Sequence, residues 1–459
     1  MGANPAPALA VPMNHFLTAL SLAALFVAPS LRAHSGPLDP TFGDGGMQHY
    51  GFQAVPGPNG SGDAARVGCP GPGGTFIVIG SASGGVRIVT TRLLPDGRLD
   101  PSFSADGKES FDFDGYSSYG GFAPAVCLPT GDAVIAHVVT VDDGEQNLRL
   151  VRVGRDSGLP VAGFGIGGVV DLDLDAHIAD LARPEVAVGL NVLANGDLVI
   201  TGYVATSTVA ETGFAAVLDA SGQVRVAKLV DCWLTSAAMD GPQGTLWVFG
   251  STGYNACRLT LDSDTLAQHD RLIGPATPRQ FPGAARLVRP GTVAMAVTTL
   301  APKGGSGVGA AMQVFRDDAV TSIPLPIPAD ASLLASGSSY PGVQILPGGR
   351  VLYGATAVDI ASGAYEGQYF ALVHVGREPA GDGIEPAFGG GGVRMARFEP
   401  DTPECQGTAP RQSLYRMTQW LGRPAFVGRA DATCTGGNAG EDYLVGRIET
   451  NYLFADGMD

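Results

Sequence analysis

The chain has 459 residues, and its 44 Asp and Glu outnumber its 28 Lys and Arg to give a formal net charge of -16. An acidic chain without a basic stripe is a poor partner for nucleic acid or an anionic membrane surface, and we expect neither. Its 67 Gly and 33 Pro beside 45% hydrophobic residues argue against a helical bundle and are typical of short strands joined by tight turns.

The N-terminal residues resemble an export signal. The apolar run Phe16–Pro29 is too short to span a bilayer comfortably, and Ser30–Ala33 follows it as a cleavage region. We therefore predict a signal peptide over residues 1–33, with Met13 as the functional start, and a secreted or periplasmic protein. Because no Lys or Arg precedes the apolar run, a retained anchor stays open as the alternative.

One motif opens the remaining chain and returns in altered form. The stretch Leu38–Gly46 has copies at Leu99–Gly107 and Ile384–Gly392 and a looser copy at Leu159–Gly168. The Pro fixes its own φ, the glycines permit positive φ, and the single Phe can anchor a polar loop by burial. Asp39 and Asp44 could act as ligands, but the position of the copies between strands favours a construction element.

A second pattern, an apolar strand, a Gly-containing turn and a stronger apolar strand, occurs seven times. The stronger strands begin at Phe76, Ala133, Leu198, Leu246, Val293, Val351 and Ala425. The first repeats supply two more strands each, such as Val86–Leu94 and Lys108–Phe113. Four antiparallel strands repeated radially predict an all-β protein, a seven-bladed β-propeller of four-stranded blades.

A strand near the N-terminus can supply the fourth strand that the seventh repeat lacks. The seventh repeat ends with a third strand, Tyr443–Ile448, and lacks a clear fourth, whereas Gly46–Phe52 is a lone strand near the N-terminus. We predict that Gly46–Phe52 closes the ring as the last strand of the seventh blade. A further echo of the motif, Phe454–Gly457, would compete for the same loop position.

The Leu38 copy, with the lead-in Leu93–Gly97 before the Leu99 copy, resembles the delta-60 repeat family of exported bacterial proteins. The middle repeats, from about Leu198 to Pro328, lack the signature. The resemblance implies a repeated β architecture outside the cytoplasm. It implies no activity and transfers no functional residues.

Six cysteines fit an oxidising compartment, although they allow several connectivities. Cys69 and Cys127 occupy matching places in successive repeats, and each of the other two pairs brackets a hairpin region. The disulfides that we predict are Cys69–Cys127, Cys232–Cys257 and Cys405–Cys434.

Candidate chemistry is sparse. Asp171, Asp173 and Asp175 alternate as calcium ligands can, but Ala176 stands where a calcium loop needs Gly, so an exposed outer strand is favoured. Asp112–Gly115 is interpreted in the same way. Gly80–Gly84 lacks the serine of a nucleophile elbow. We assign no catalytic, cofactor-binding or metal-ligating residue and no cofactor.

The predicted innermost strands, which would line the channel, contain no His. Their main ionisable residues are Arg66, Glu185, Asp240, Arg286, Arg289 and Arg416. We predict a single domain over 34–459, a monomeric scaffold or ligand-binding module whose partner is an unknown protein or carbohydrate. The alternative is an enzyme of hydrolase or lyase type with its site at the channel mouth, which a convergent cluster of acids, bases or ligands would reveal.

Overall fold

The predicted propeller is present, and its ring is closed by strands from both ends of the chain. A computed structural model describes residues 37–52, 63–82, 87–112, 124–140, 146–178, 185–204, 212–252, 255–275, 280–300, 308–328, 331–333, 341–359, 365–389, 391–396, 412–431 and 441–449. All of them belong to one compact unit, residues 36–459. Among these described residues, no helix is long and apolar enough to cross a membrane.

The secondary structure consists of strands and a few single 3-10 turns. The strands are β1 (Met47–Tyr50), β2 (Ala64–Pro70), β3 (Phe76–Ala82), β4 (Arg87–Leu93), β5 (Lys108–Asp112), β6 (Ala125–Cys127), β7 (Ala133–Thr140), β8 (Gln146–Val153), β9 (Val169–Leu172), β10 (Glu185–Val192), β11 (Leu198–Val204), β12 (Gly213–Leu218), β13 (Val224–Val230), β14 (Trp233–Asp240), β15 (Thr245–Thr252), β16 (Asn255–Asp262), β17 (Gln268–Ile273), β18 (Gln280–Arg289), β19 (Thr292–Leu300), β20 (Val308–Phe315), β21 (Val320–Leu325), β22 (Ala331–Leu333), β23 (Gly342–Ile345), β24 (Arg350–Asp359), β25 (Tyr365–His374), β26 (Gly383–Ile384), β27 (Val393–Ala396), β28 (Gln412–Trp420), β29 (Arg423–Asp431) and β30 (Glu441–Arg447).

These strands form seven antiparallel sheets, the blades. Blades 1 to 5 are β2 to β5, β6 to β9, β10 to β13, β14 to β17 and β18 to β21, each in simple chain order. In blade 6, β22 and β23 both pair with β24, and β26 and β27 both pair with β25. Two interrupted strands thus replace the single inner and outer strands that the sequence predicts for this blade.

Blade 7 has the strand order β28, β29, β30 and β1, so the N-terminal strand is its outermost member. Met47 pairs with Gly446 and Tyr50 with Tyr443, in an antiparallel register without a bulge. The bridge between Leu38 and Ile448 extends this pairing into the motif. The prediction that the N-terminal strand closes the ring is confirmed, whereas the Phe454–Gly457 echo lies outside the described residues.

The first strand of each blade contacts the first strand of the next, which arranges β2, β6, β10, β14, β18, β23 and β28 around the central channel. The second strands are buried on both faces, as in Phe76–Ala82, because neighbouring blades cover both sides. The outermost strands are less buried: that of blade 4, Gln268–Ile273, is largely exposed, and those of blades 1 and 7, Lys108–Asp112 and Met47–Tyr50, are mostly half-buried. The hydrophobic core therefore lies between the blades.

The two faces of the ring carry different connections. The turn face holds those between the first and second and between the third and fourth strands of a blade, such as 71–75 and 94–107. Three of its turns are single 3-10 turns that begin at Pro72, Pro242 and Pro347. The other connections leave from the opposite side, the loop face.

Two of the predicted cysteine pairs form disulfides. Cys69 and Cys127, with Cα atoms 5.5 Å apart, join the inner strands of blades 1 and 2. Cys232 and Cys257, with Cα atoms 6.5 Å apart, join the start of blade 4 to its third strand. Cys405 and Cys434 lie outside the described residues, so their pairing stays a prediction. Two disulfides indicate an oxidising environment.

Candidate functional site in the central channel

The repeated motif is used for construction. In blade 1, Arg92 at the end of the third strand donates from Nε to Asp100 Oδ2 at 2.7 Å, and its guanidinium carbon lies 4.8 Å from the Phe103 ring centroid. Asp100 also accepts hydrogen bonds from the Ser102 amide and hydroxyl. Although burial opposes it, these bonds lower the pKa of Asp100.

The Leu38 copy repeats this arrangement with an arginine from the other end of the chain. Arg447 donates from Nε to Asp39 Oδ2 at 2.8 Å, its guanidinium carbon lies 5.0 Å from the Phe42 ring centroid, and Arg423 forms a second ion pair with Asp39. Asp39 also accepts from Thr41, as Asp100 does from Ser102. The motif carboxylate is thus satisfied internally and is not available to a ligand.

The motif phenylalanines join neighbouring blades. Phe42 lies against Gly97 in the turn face of blade 1, Phe103 against Gly158 in blade 2, and Phe164 against Gly222 in blade 3. All three aromatic side chains are buried. Each Gly has a positive φ, and a Cβ there would enter the ring of the phenylalanine, so glycine is required twice over.

The alternating aspartates are exposed, but only the first of them lies on the outer strand. Asp171 lies on β9, the outermost strand of blade 2, and forms an ion pair with Arg149; Asp173 and Asp175 follow in a turn and are exposed. The strand ends at Leu172, two residues earlier than the alternation predicts. No group of three or more His, Cys, Asp or Glu side chains within the described residues could hold a metal ion.

All six ionisable residues predicted for the inner strands do lie on them, at three levels. Glu185 and Arg66 are near the loop face, at the starts of β10 and β2. Asp240 and Arg289 end β14 and β18 at the turn face, where Asp240 accepts the Ala194 amide and Arg289 donates to Val375 O. The remaining two, Arg286 and Arg416, occupy the middle of β18 and β28.

Arg286 and Arg416 are cationic groups with few partners. Arg286 donates from Nη1 to Ala285 O at 2.9 Å, and Arg416 donates from Nη1 to Ala125 O on blade 2. Burial lowers the pKa of both guanidinium groups, and the charge of Arg286 adds to the effect on Arg416, whose pKa falls to about 9. Within the described residues, no carboxylate forms an ion pair with either arginine.

Near the loop face, aromatic and ionisable groups meet. The guanidinium carbon of Arg66 lies 4.7 Å from the Tyr415 ring centroid, and that of Arg429 lies 5.9 Å from it. His137, buried on β7, feels the charge of Arg66; burial and that charge lower its pKa to about 3. In the sequence His137 is one of several scattered histidines without a metal-binding spacing, and it lies on a second strand and not on an innermost one, so it was not predicted as a site residue. Its position on the second strand, where blades 1, 3, 4 and 7 have Gly80, Gly202, Gly250 and Gly428, is the signal that could have found it.

Glu185 is the second unusual group near the loop face. It is buried, and it forms a side-chain hydrogen bond with Asp175. Burial, together with the charges of Asp175 and Asp173, raises its pKa to about 7. A carboxyl group in this state can hold a proton near neutral pH.

The comparisons with known proteins assign the chain to no family. No protein-family model and no curated protein matches the chain. Solved structures that are similar include the WD40 repeats of RRP9, at 9% identity over 88% of this chain and 98% of that one with a TM-score of 0.48. The Dos1 propeller is 11% identical over 87% and 94% of the two chains, with a TM-score of 0.42.

A puromycin-hydrolysing peptidase from Mycobacterium tuberculosis is also similar, at 12% identity over 83% of this chain and 61% of that one with a TM-score of 0.39. Likenesses this distant say nothing about function. The blade topology itself defines the class of protein: a seven-bladed β-propeller with a closed ring.

Proposed function

We propose that this chain is an exported β-propeller that binds a ligand in its central channel and acts as a binding module or scaffold. The observation that carries the proposal is a contrast between two sets of charges. Asp39 and Asp100 in the motif are paired with arginines, whereas Arg286 and Arg416 in the channel donate, among the described residues, only to backbone carbonyls. Charged groups without a counter-charge in a half-buried site are typical of a binding site.

The wider assignment includes membership of the delta-60 repeat family and a secreted or periplasmic location. It is supported by the motif at Leu38, by its structural copy at Leu99 and by the two disulfides. We further propose a signal peptide over residues 1–33, a single propeller domain over 34–459 and a monomeric protein whose ligand is a protein or a carbohydrate.

An enzyme with its site at the channel mouth is the second candidate. The observation that favours it is Glu185, because a carboxyl group with a raised pKa beside Asp175 is suited to proton transfer. A hydrolase or lyase would use such a group as a general acid.

Native mass spectrometry of the protein purified from its own extracellular or periplasmic medium tests both candidates. A binding module is expected to carry a bound mass that is released unchanged on denaturation. Incubation that converts this mass into smaller products would favour the enzyme. The binding proposal would be contradicted if the unaltered protein carried no bound mass, so that its native mass spectrum showed no more ligand than that of an Arg286→Gln/Arg416→Gln variant.

A further inference from the structure

Close packing of three inner strands brings Arg286 and Arg416 to one side of the channel. The two arginines belong to blades 5 and 7, which are separated by β23 of blade 6. Ala284 donates its amide to Pro341 O at 2.9 Å, which ties β18 to the residue before β23. Gly342 on β23 leaves no room for a Cβ because the Met417 side chain of β28 occupies that space. The three strands are therefore in backbone-level contact.

The Arg416 guanidinium extends into the channel from its own strand. It begins on blade 7 and reaches the carbonyl of Ala125 on blade 2, so it passes the inner strand of blade 1. It also feels the charge of Arg286 on blade 5, on the other side of its own blade. The Arg416 side chain thus interacts with blade 2 on one side of its own blade and with blade 5 on the other. Its guanidinium therefore lies inside the channel.

These two cations leave most of their hydrogen-bonding capacity unused. A guanidinium has five N–H donors, and among the described residues each of these groups uses one of them on a backbone carbonyl, which leaves the others open to water or a ligand. Two arginines elsewhere in the propeller pair with carboxylates instead: Arg316 lies 2.6 Å from Asp382, and Arg152 lies 2.6 Å from Asp132. Two half-buried like charges on neighbouring stretches of the channel wall are unfavourable unless a negative charge joins them.

We propose that the central channel binds a small ligand bearing an oxyanion, a carboxylate or a phosphate, between the guanidinium groups of Arg286 and Arg416. Planar guanidinium groups bind both oxyanions through paired N–H···O bonds, and the half-buried setting strengthens them. This inference rests on the proposed binding function and specifies the chemistry of its ligand.

Isothermal titration calorimetry and thermal melting of the purified protein test this inference. The probes are inorganic phosphate, succinate and glucuronate, which distinguish a phosphate from a simple carboxylate and from an acidic sugar, with glucose as the neutral comparison. At least one anion is expected to bind one per chain and to raise the melting temperature, whereas glucose does neither. Arg286→Gln and Arg416→Gln should each weaken that binding at least tenfold.

Arg98→Gln is the matched control, since Arg98 is an exposed arginine of the turn face that pairs with Asp96. It should bind the anion as the unaltered protein does. A second measurement uses Arg286→Met without any anion. Because it removes one of two like charges, it should raise the melting temperature of the ligand-free protein while abolishing the response to the anion.

Three results would overturn the anion site: no probe binds, binding survives in both glutamine variants, or Arg286→Met lowers the melting temperature of the ligand-free protein. If one of these results were found and the protein nevertheless carried a neutral molecule from its native medium, the proposal of a binding module would stand. Only the proposal that its ligand bears an oxyanion would be wrong. Failure of the two proposals is thereby distinguishable.

Discussion

Arg447 Nε lies 2.8 Å from Asp39 Oδ2, although 408 positions separate the two residues in sequence. Both side chains are buried, and the Asp39 amide donates to Arg447 O at 2.9 Å. The same pair of groups in blade 1, Arg92 and Asp100, is separated by 8 positions. The closure of the ring therefore reproduces a local interaction of an ordinary blade with partners from opposite ends of the chain.

Replacing Asp39 by Ala should strongly destabilise the ring, because it leaves the Arg447 guanidinium buried without its carboxylate. Removing one partner of a buried ion pair costs about 3–5 kcal/mol. Asp44→Ala is the matched control, since Asp44 belongs to the same motif but is exposed. Urea denaturation of both variants measures the difference, and equal midpoints would contradict the role given to Asp39.

The contact between a motif phenylalanine and the turn glycine of the next blade can be isolated from backbone strain. Gly97 and Gly196 both have a φ of 90°, but an added Cβ would lie 2.7 Å from the Phe42 ring at Gly97 and would meet nothing within 4 Å at Gly196. Gly97→Ala should therefore cost more than the ~1–2 kcal/mol expected of a left-handed alanine, and Gly196→Ala about that amount. Thermal denaturation compares the stability of the two variants. An equal loss of stability would show that the Phe42 ring moves aside without cost.

The two disulfides should differ in their contribution to stability. The Cys69–Cys127 bridge spans 58 residues and the Cys232–Cys257 bridge spans 25. Restriction of the unfolded chain predicts stabilisation of about 4.2 and about 3.5 kcal/mol respectively. Denaturation of the two double Cys→Ala variants should follow this order. The reverse order would mean that native-state packing, and not the unfolded chain, dominates.

Glu185 should make the folded protein less stable as the pH rises. Its folded-state pKa of about 7 exceeds the ordinary value of 4.5, so between these values the folded chain binds more protons than the unfolded chain. The free energy of unfolding therefore falls across this window, by an upper estimate of about 3 kcal/mol. Glu185→Gln should abolish that fall and be the more stable protein at pH 8.

Asp171→Asn serves as the control for this pH dependence, because Asp171 is an exposed outer-strand carboxylate. Unfolding measured between pH 5 and pH 8 should show the same slope in this variant as in the unaltered protein. If the free energy of unfolding of Glu185→Gln had the same slope against pH as that of the unaltered protein, a group other than Glu185 would be responsible for the pH dependence.

The sequence predicted the blades well because their second strands carry a local signal. The predicted starts at Phe76, Ala133 and Leu198 agree with the structure, and Ala425 is displaced by two residues from Arg423, where β29 begins. A run of apolar residues after a glycine turn needs no knowledge of distant contacts. The additional inner strand of blade 6, Ala331–Leu333, was not predicted, because three residues are too short a stretch to give a local signal.

The candidate site was predicted only in part. Arg286 and Arg416 were identified as channel residues because strand order places them there, but their mutual approach depends on how blades 5, 6 and 7 pack. His137 was missed because it lies on a second strand. The pairing of Asp39 with Arg447 was also missed, since the motif alone does not show which arginine will face it.

Ring closure also sets an order of events during synthesis. Among the described strands, β1 leaves the ribosome before all the others and its partner β30 after them, so β1 stays unpaired until the strands of all seven blades have been made. In a chain that ends before β30, both β1 and the last completed blade keep an unpaired strand edge. Asp39 then also lacks its ion-pair partner Arg447. Proteases and chaperones that recognise exposed edges can therefore distinguish a complete molecule from a truncated one by a single missing strand pair.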